Sequence, residues 1–141
     1  MASNRLQLNA SKTEIMWYSS VRRQSQRPTS QFRVCNDLVT PSTVVRDLGI
    51  YLDCDVSMCS QVARTVSNCF FILRRLRSIH RSLTRSVFQS IVVALVLSKL
   101  DFGNATLAGL PLYQLRRLQS VLNAAARLVF SASRHVTCYY I

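Results

Sequence analysis

Apolar and polar positions change their rhythm once along this chain, near residue 57. Before that point the apolar residues come in short runs. Residues 13–18 are rich in β-branched and aromatic side chains and predict a strand. Residues 19–31 hold Ser, Gln, Arg and Pro28 without periodicity, which predicts a mobile loop. Residues 32–35 and Leu38 and Val39 flank Asn36-Asp37, a dipeptide suited to a hairpin turn. Residues 44–52 form another extended run, interrupted by Gly49, where a bulge or a close approach of a ligand is allowed. Residues 1–8 have the pattern of the tail of a helix that begins outside the sequence.

From Ser57 the period is helical. Val62, Val66, Cys69, Phe70, Leu73 and Leu76 define one apolar stripe. Arg64 and Arg75 fall roughly opposite it, with Arg74 and Arg81 on the flank and Arg77 near the stripe, placed to cap the helix end. A second helix is predicted from Thr84, a good N-cap residue, to about Leu100. Its run at residues 91–97 is apolar almost without a break, which predicts burial on most sides. Seven residues cannot span a bilayer, which takes about 20. A short helical segment is expected at residues 104–108, stopped by Gly109-Leu110-Pro111. The last helix is expected over residues 112–130, with Leu115, Leu118, Leu122, Ala125, Ala126 and Val129 as its core stripe. Arg116, Ser120, Asn123 and Arg127 recur at i, i+4, i+7 and i+11 as a wholly polar stripe. The fold class is therefore α+β: a small β element followed by a mostly α-helical bundle. With 141 residues the chain is long enough for one real core.

Charge changes the picture most. Eighteen Lys and Arg against six Asp and Glu give +12, and sixteen of the eighteen are Arg. Such an excess implies a polyanionic partner or an anionic surface. Guanidinium favours phosphate, which it grips bidentately, and it also stacks on bases. A solvated basic face is the plainer reading of the same residues. The apolar content of 49% argues against disorder of the whole, and three Gly and three Pro favour long helices. The five cysteines include no CxxC pair and no zinc spacing with histidine. They are expected to be reduced thiols, with Cys69 in the core. No secretory signal opens the chain, so the expected location is intracellular, nuclear or cytoplasmic, and no membrane partner is expected. His80 and His135 have no catalytic partner at readable spacing.

Five strings stand in a recognisable order: LNASKTE at residues 8–14, VRDLGIYLD at 45–53, FILRRLRSIHRSLT at 71–84, ALVLSKLDFGNATLAGLP at 94–111 and LQSVLNAAARLV at 118–129. His135-Val136-Thr137 looks like the start of a further segment. This succession resembles the C-terminal palm and thumb of reverse transcriptases from non-LTR (LINE-type, jockey-like) retrotransposons. The resemblance implies that residues 1–56 are the end of the palm, 57–131 a helical thumb and 132–141 a truncated tail. Residues 8–14 would match motif D and residues 48–53 the primer grip of motif E.

On that resemblance Lys12 is placed as a general acid toward departing pyrophosphate; its plainer role is a solvated turn lysine or an ion pair with Glu14. Leu48 and Gly49, with Asp53, would shape a turn that grips the primer, beside Arg46. Arg64, Arg74, Arg75, Arg81, Arg116 and Arg127 would meet backbone phosphates without choosing sequence. Asn123 is expected in a structural role, with Asp101 as a candidate partner for it and for Arg127. The partners implied are an RNA template and DNA primer duplex, and the fingers and remaining palm of the parent polypeptide.

The departures from the family are equally specific. No Asp-Asp pair occurs in the 141 residues, so the carboxylates of a two-metal site are missing. No cofactor is expected in this chain, although Mg2+ is implied for the complete polymerase. The expectation is a fragment cut at both ends that holds primer and duplex and does not polymerise alone. Its alternatives are a stand-alone basic helical nucleic-acid-binding module, a protein- or membrane-surface module, and a translated relic without function.

Overall fold

A computed structural model describes residues 9–34 and 37–130. The helical tail expected at residues 1–8, Cys35, Asn36 and everything from residue 131, His135 and Cys138 included, lie outside the described residues. The chain divides into two compact units, Met1–Met58 and Cys59–Ile141. Two small antiparallel sheets come first and helices follow, an α+β succession.

In the first unit, strand β1 (Phe32–Val34) pairs with β2 (Asp37–Val39) in the register Phe32↔Val39, Arg33↔Leu38, Val34↔Asp37. Asp37 thus belongs to a strand and not to the turn, because its pairing with Val34 completes the ladder. The run at residues 44–52 is not one interrupted strand. It folds back on itself as β3 (Val44–Asp47) and β4 (Ile50–Asp53), paired from Val44↔Asp53 to Asp47↔Ile50. The connection is the two-residue turn Leu48-Gly49, with φ of 46° and 89°. Two positive φ values match the right-handed twist of a hairpin. Gly49 adopts its value freely, whereas a left-handed Leu48 costs about 1–2 kcal/mol.

Two further expectations for this unit are corrected. Residues 13–18 form no strand. Ile15 accepts from Ser42 N at 2.8 Å and Ser19 N donates to Cys54 O at 3.0 Å, so the segment is pinned to two separate places and never enters a ladder. Within residues 19–31, Val21–Gln26 is a 3-10 helix. It ends at Arg27, which is extended (φ −72°, ψ 136°), as a residue before Pro28 is steered to be. Past β4, the Ser57 hydroxyl and then its N–H hold the Asp55 carboxyl below the usual carboxylate range. That clasp brackets Val56, whose φ of 58° is unusual for a β-branched side chain.

The second unit is built on α1 (Cys59–Ile79), a 21-residue helix. Val62, Val66, Cys69, Leu73 and Leu76 are its buried stripe, alternating four and three residues so as to stay on one face. Burial pushes the Cys69 thiol up, as suits a packed and unreactive sulfur. Phe70 does not share this stripe and is 37% exposed. Arg77 is exposed and does not join the stripe either.

After a 3-10 turn at His80–Ser82 the chain forms α2 (Arg85–Val92), a π-helical turn at Val93–Leu97 and α3 (Ser98–Asp101). Thr84 has the extended backbone of an N-cap, and its carbonyl accepts from Phe88 N at 2.9 Å, although its side chain makes no cap bond. Residues four apart drift by about 40° per step on a regular α-helix. The wider π turn takes up that drift, so Phe88, Val92 and Val96 stay buried and Leu100 packs beside them. Burial on most sides is not found: Val93 is 53% and Leu95 43% exposed, because α1 and α4 meet only one side of this helix.

A 3-10 turn at Asn104–Leu107 and Gly109 lead to α4 (Leu112–Phe130). Pro111 O receives both Gln114 N and Leu115 N, at 2.9 and 3.3 Å, and so caps the new helix. The core face of α4 is rotated from the expected one. Gln114, Val121 and Ala125 are buried, Leu118, Ala124, Leu128 and Val129 pack beside them, and Leu115 is 42% exposed; Leu118, Ala125 and Val129 are thus where the stripe put them. Among the described residues no helix is long and apolar enough to cross a membrane.

Two substitutions test this packing. Phe88, 1% exposed, lies where all three long helical segments meet, so Phe88→Ala should cost about 3–5 kcal/mol of helical-unit stability, read from urea unfolding followed by far-ultraviolet circular dichroism. In the hairpin, Leu48→Asn should stabilise by roughly 1 kcal/mol, because Asn tolerates the left-handed region that Leu resists. An unchanged melting profile for Leu48→Asn would show that the turn does not carry that strain.

Candidate nucleic-acid interface

The charge is divided as unevenly as the structure. Residues 59–141 carry eleven Arg and Lys against the one carboxylate of Asp101, a net +10 of the chain's +12. Residues 1–58 hold seven cations and five carboxylates and are close to balance.

On α1, Phe70, Arg74, Arg77 and Arg81 recur at i, i+4, i+7 and i+11, the last on the 3-10 turn that extends the helix. They form a face of their own beside the buried stripe. Across from it Arg127 projects from the C-terminal half of α4, and the two faces bound a groove of about 1270 Å³. Arg74, Arg77 and Arg81 are exposed and Arg127 is half-buried. The floor is apolar, made by Leu73, Ala124 and Leu128, and among the described residues no carboxylate lines it. His80 stands in the wall with its ring edge-on to Phe88, centroids 4.8 Å apart and planes at 85°. Since Phe88 is buried, that contact fixes the imidazole in place.

The groove gathers three of the expected phosphate contacts, Arg74, Arg81 and Arg127, and adds Arg77, Phe70 and His80. Its lining does not include Arg64, Arg75 or Arg116. Arg75 lies over the Phe71 ring, 4.7 Å from its centroid, and shares the other exposed face of α1 with Arg64, eleven residues earlier. Arg116 is exposed on the first half of α4, about 16 Å from Arg127 by the helical rise. Within the polar stripe of α4, Asn123 Oδ1 accepts from Gln119 Nε2 at 3.1 Å, a partner on its own helix. The i, i+4, i+7 spacing of Phe70, Arg74 and Arg77 was the signal for this face, masked because Phe70 also fits the apolar period.

The remaining candidates are in the first unit. Lys12 sits on a 3-10 turn, Ala10–Lys12, organised by Asn9. The Asn9 side chain accepts from Ser11 N at 3.1 Å and its carbonyl from Thr13 Oγ1 at 2.8 Å. The turn presents Lys12 to solvent, with Glu14 also exposed. Leu48 is 88% exposed at the tip of the β3–β4 hairpin. Arg46 lies over the cross-strand Tyr51 ring, 5.6 Å from its centroid, which stiffens the hairpin below that tip. Asp53 is buried at the far end of β4, 7% exposed and opposite Val44, not at the turn.

A second clustering joins the start of α1 to the start of α4. Gln114, fully buried, donates from Nε2 to Cys59 Sγ at 2.9 Å and to Tyr113 OH at 3.1 Å. It explains how an amide is accommodated on the core face of α4. Among the described residues no three His, Cys, Asp or Glu side chains form a group that could hold a metal ion. Comparison of the chain with protein families, with curated proteins and with solved structures finds no match to any of them.

Proposed function

We propose that this chain is part of a LINE-type reverse transcriptase, with residues 1–56 from the edge of the palm and residues 57–131 as the thumb. It holds the primer end and binds the template–primer duplex through backbone phosphates. The observation that carries this reading is the concentration of +10 on the helical unit, with Arg74, Arg77, Arg81 and Arg127 aligned along one groove. A phosphate backbone is a partner whose repeated negative charge a row of guanidiniums can meet. Arg64, Arg75 and Arg116 widen the basic surface over other faces of the same helices.

The hairpin supports the same reading from a second side. A solvent-exposed Leu at φ 46° is a poor choice for stability where Asn would serve. Strain retained at an exposed tip is common where a backbone meets a ligand, and primer gripping is such a use. Lys12, on its Asn9-ordered turn, is the one group offered for direct proton transfer in this scheme. The catalytic carboxylates and their Mg2+ belong to the implied remainder of the enzyme.

The experiment is fluorescence anisotropy of a labelled RNA–DNA hybrid across salt concentrations. Binding should weaken steeply, with a log–log slope of several units and little sequence preference. Arg74→Gln with Arg81→Gln should reduce that slope by roughly 1.4–1.8, since each phosphate contact contributes about 0.7–0.9. Affinity that stays flat between low and high salt would overturn the proposal.

A further inference from the structure

We infer that the groove between α1 and α4 takes single-stranded nucleic acid, bases on its apolar floor and phosphates on its guanidinium rims. The inference rests on the reading of the helical unit as a nucleic-acid binder and narrows what that one groove accepts. Three features separate it from a face built for duplex alone.

The first is the floor. A surface that meets only the phosphates of a duplex has no use for exposed hydrocarbon between its arginines. Here half-buried Ala124 and Leu128, with buried Leu73 beside them, line the groove between Arg74, Arg81 and Arg127. The second is shape: a furrow between packed helices, whose axes lie about 8–10 Å apart, is a cleft and not a surface contoured to a cylinder. A duplex can rest on the rims, while a single strand can enter. The third is the pair of rings. Phe70 and His80 both line the groove, about 15 Å apart along α1 by the helical rise, and His80 is held rigid against Phe88. Rings interleaved with cations in a groove are how single strands are held without sequence choice, since every base offers a flat face.

Phe70 is the discriminating residue, because its 37% exposure allows substitution without opening the core. The full 141-residue chain is titrated into labelled 12-mers of oligo-U and oligo-dT and into a blunt RNA–DNA hybrid. Phe70→Ala should weaken oligo-U or oligo-dT binding by roughly five- to hundredfold and leave hybrid binding within about twofold. Phe70→Trp should restore single-strand binding, and unchanged helical circular dichroism shows that neither variant has unfolded. Preference for oligo-U names RNA as the strand and preference for oligo-dT names DNA; either supports the site. Equal effects of Phe70→Ala on strand and hybrid, or no effect on either, would overturn it and leave the thumb reading standing. Single-strand binding without hybrid binding would instead remove the thumb reading and leave the groove. Phosphatidylserine vesicles bound as tightly as oligo-U, with the same dependence on Phe70, would also overturn it.

Discussion

The packing of α1 against α4 is the contact on which the rest of the helical unit depends. Val62, Val66, Cys69, Leu73 and Leu76 supply one side, and Val121 and Ala125 the other. A small residue at position 125 keeps the helices close, and closeness makes the furrow between their outer edges a groove rather than a flat face. Phe88, Val92 and Val96 close the triangle from the third helix. The groove is thus a by-product of core geometry: the side chains that bury themselves at Leu73 and Leu76 rotate Arg74, Arg77 and Arg81 onto its rim.

The π turn at Val93–Leu97 serves the same triangle. A spacing of four throughout, from Phe88 to Val92 to Val96 to Leu100, would carry a regular helix off its partner within two turns. A wider turn restores the phase at the cost of poorer hydrogen-bond geometry. The Ser98 hydroxyl bonded to Ala94 O supplies one local compensation. On the opposite side the same rotation leaves Val93 exposed, and with Val92, Leu97, Leu122, Ala126 and Val129 it borders an apolar groove of about 420 Å³.

How far the sequence discloses this depends on how many forces act at each position. The buried stripe of α1 was legible because burial alone decides Val62, Val66, Cys69, Leu73 and Leu76. Phe70 fitted the same period and was misplaced, since periodicity does not tell an aromatic at the edge of a stripe from one within it. The core face of α4 was read in part: Leu118, Ala125 and Val129 belonged to the expected stripe, whereas Gln114 and Val121 did not. A buried amide whose Nε2 donates to Cys59 and Tyr113 has no signature in local sequence, its partner thiol lying 55 positions away. Residues 13–18 have strand chemistry but no strand, since propensity cannot supply a continuous partner edge. The turn at Leu48-Gly49 was only half legible: Gly49 marked it, but Leu48 argued against two left-handed residues in succession. Of the site, Arg74, Arg81 and Arg127 were individually visible, while their convergence needed the helix pairing that no local pattern encodes.

Concentrating charge has a thermodynamic consequence that bears on how the groove is used. Arg74, Arg77 and Arg81 span about 10 Å of helix, close to the screening length of about 8 Å at physiological salt, and Arg127 faces them. Mutual repulsion among Arg74, Arg77 and Arg81 opposes the gathering of that charge along one helix. A polyanion bound there would replace repulsion with attraction and so stabilise the helix that carries the charge. Burying Leu73 and Leu76 against α4 turns these guanidiniums to the groove rim, and under the proposed function a bound anion would offset what that arrangement costs.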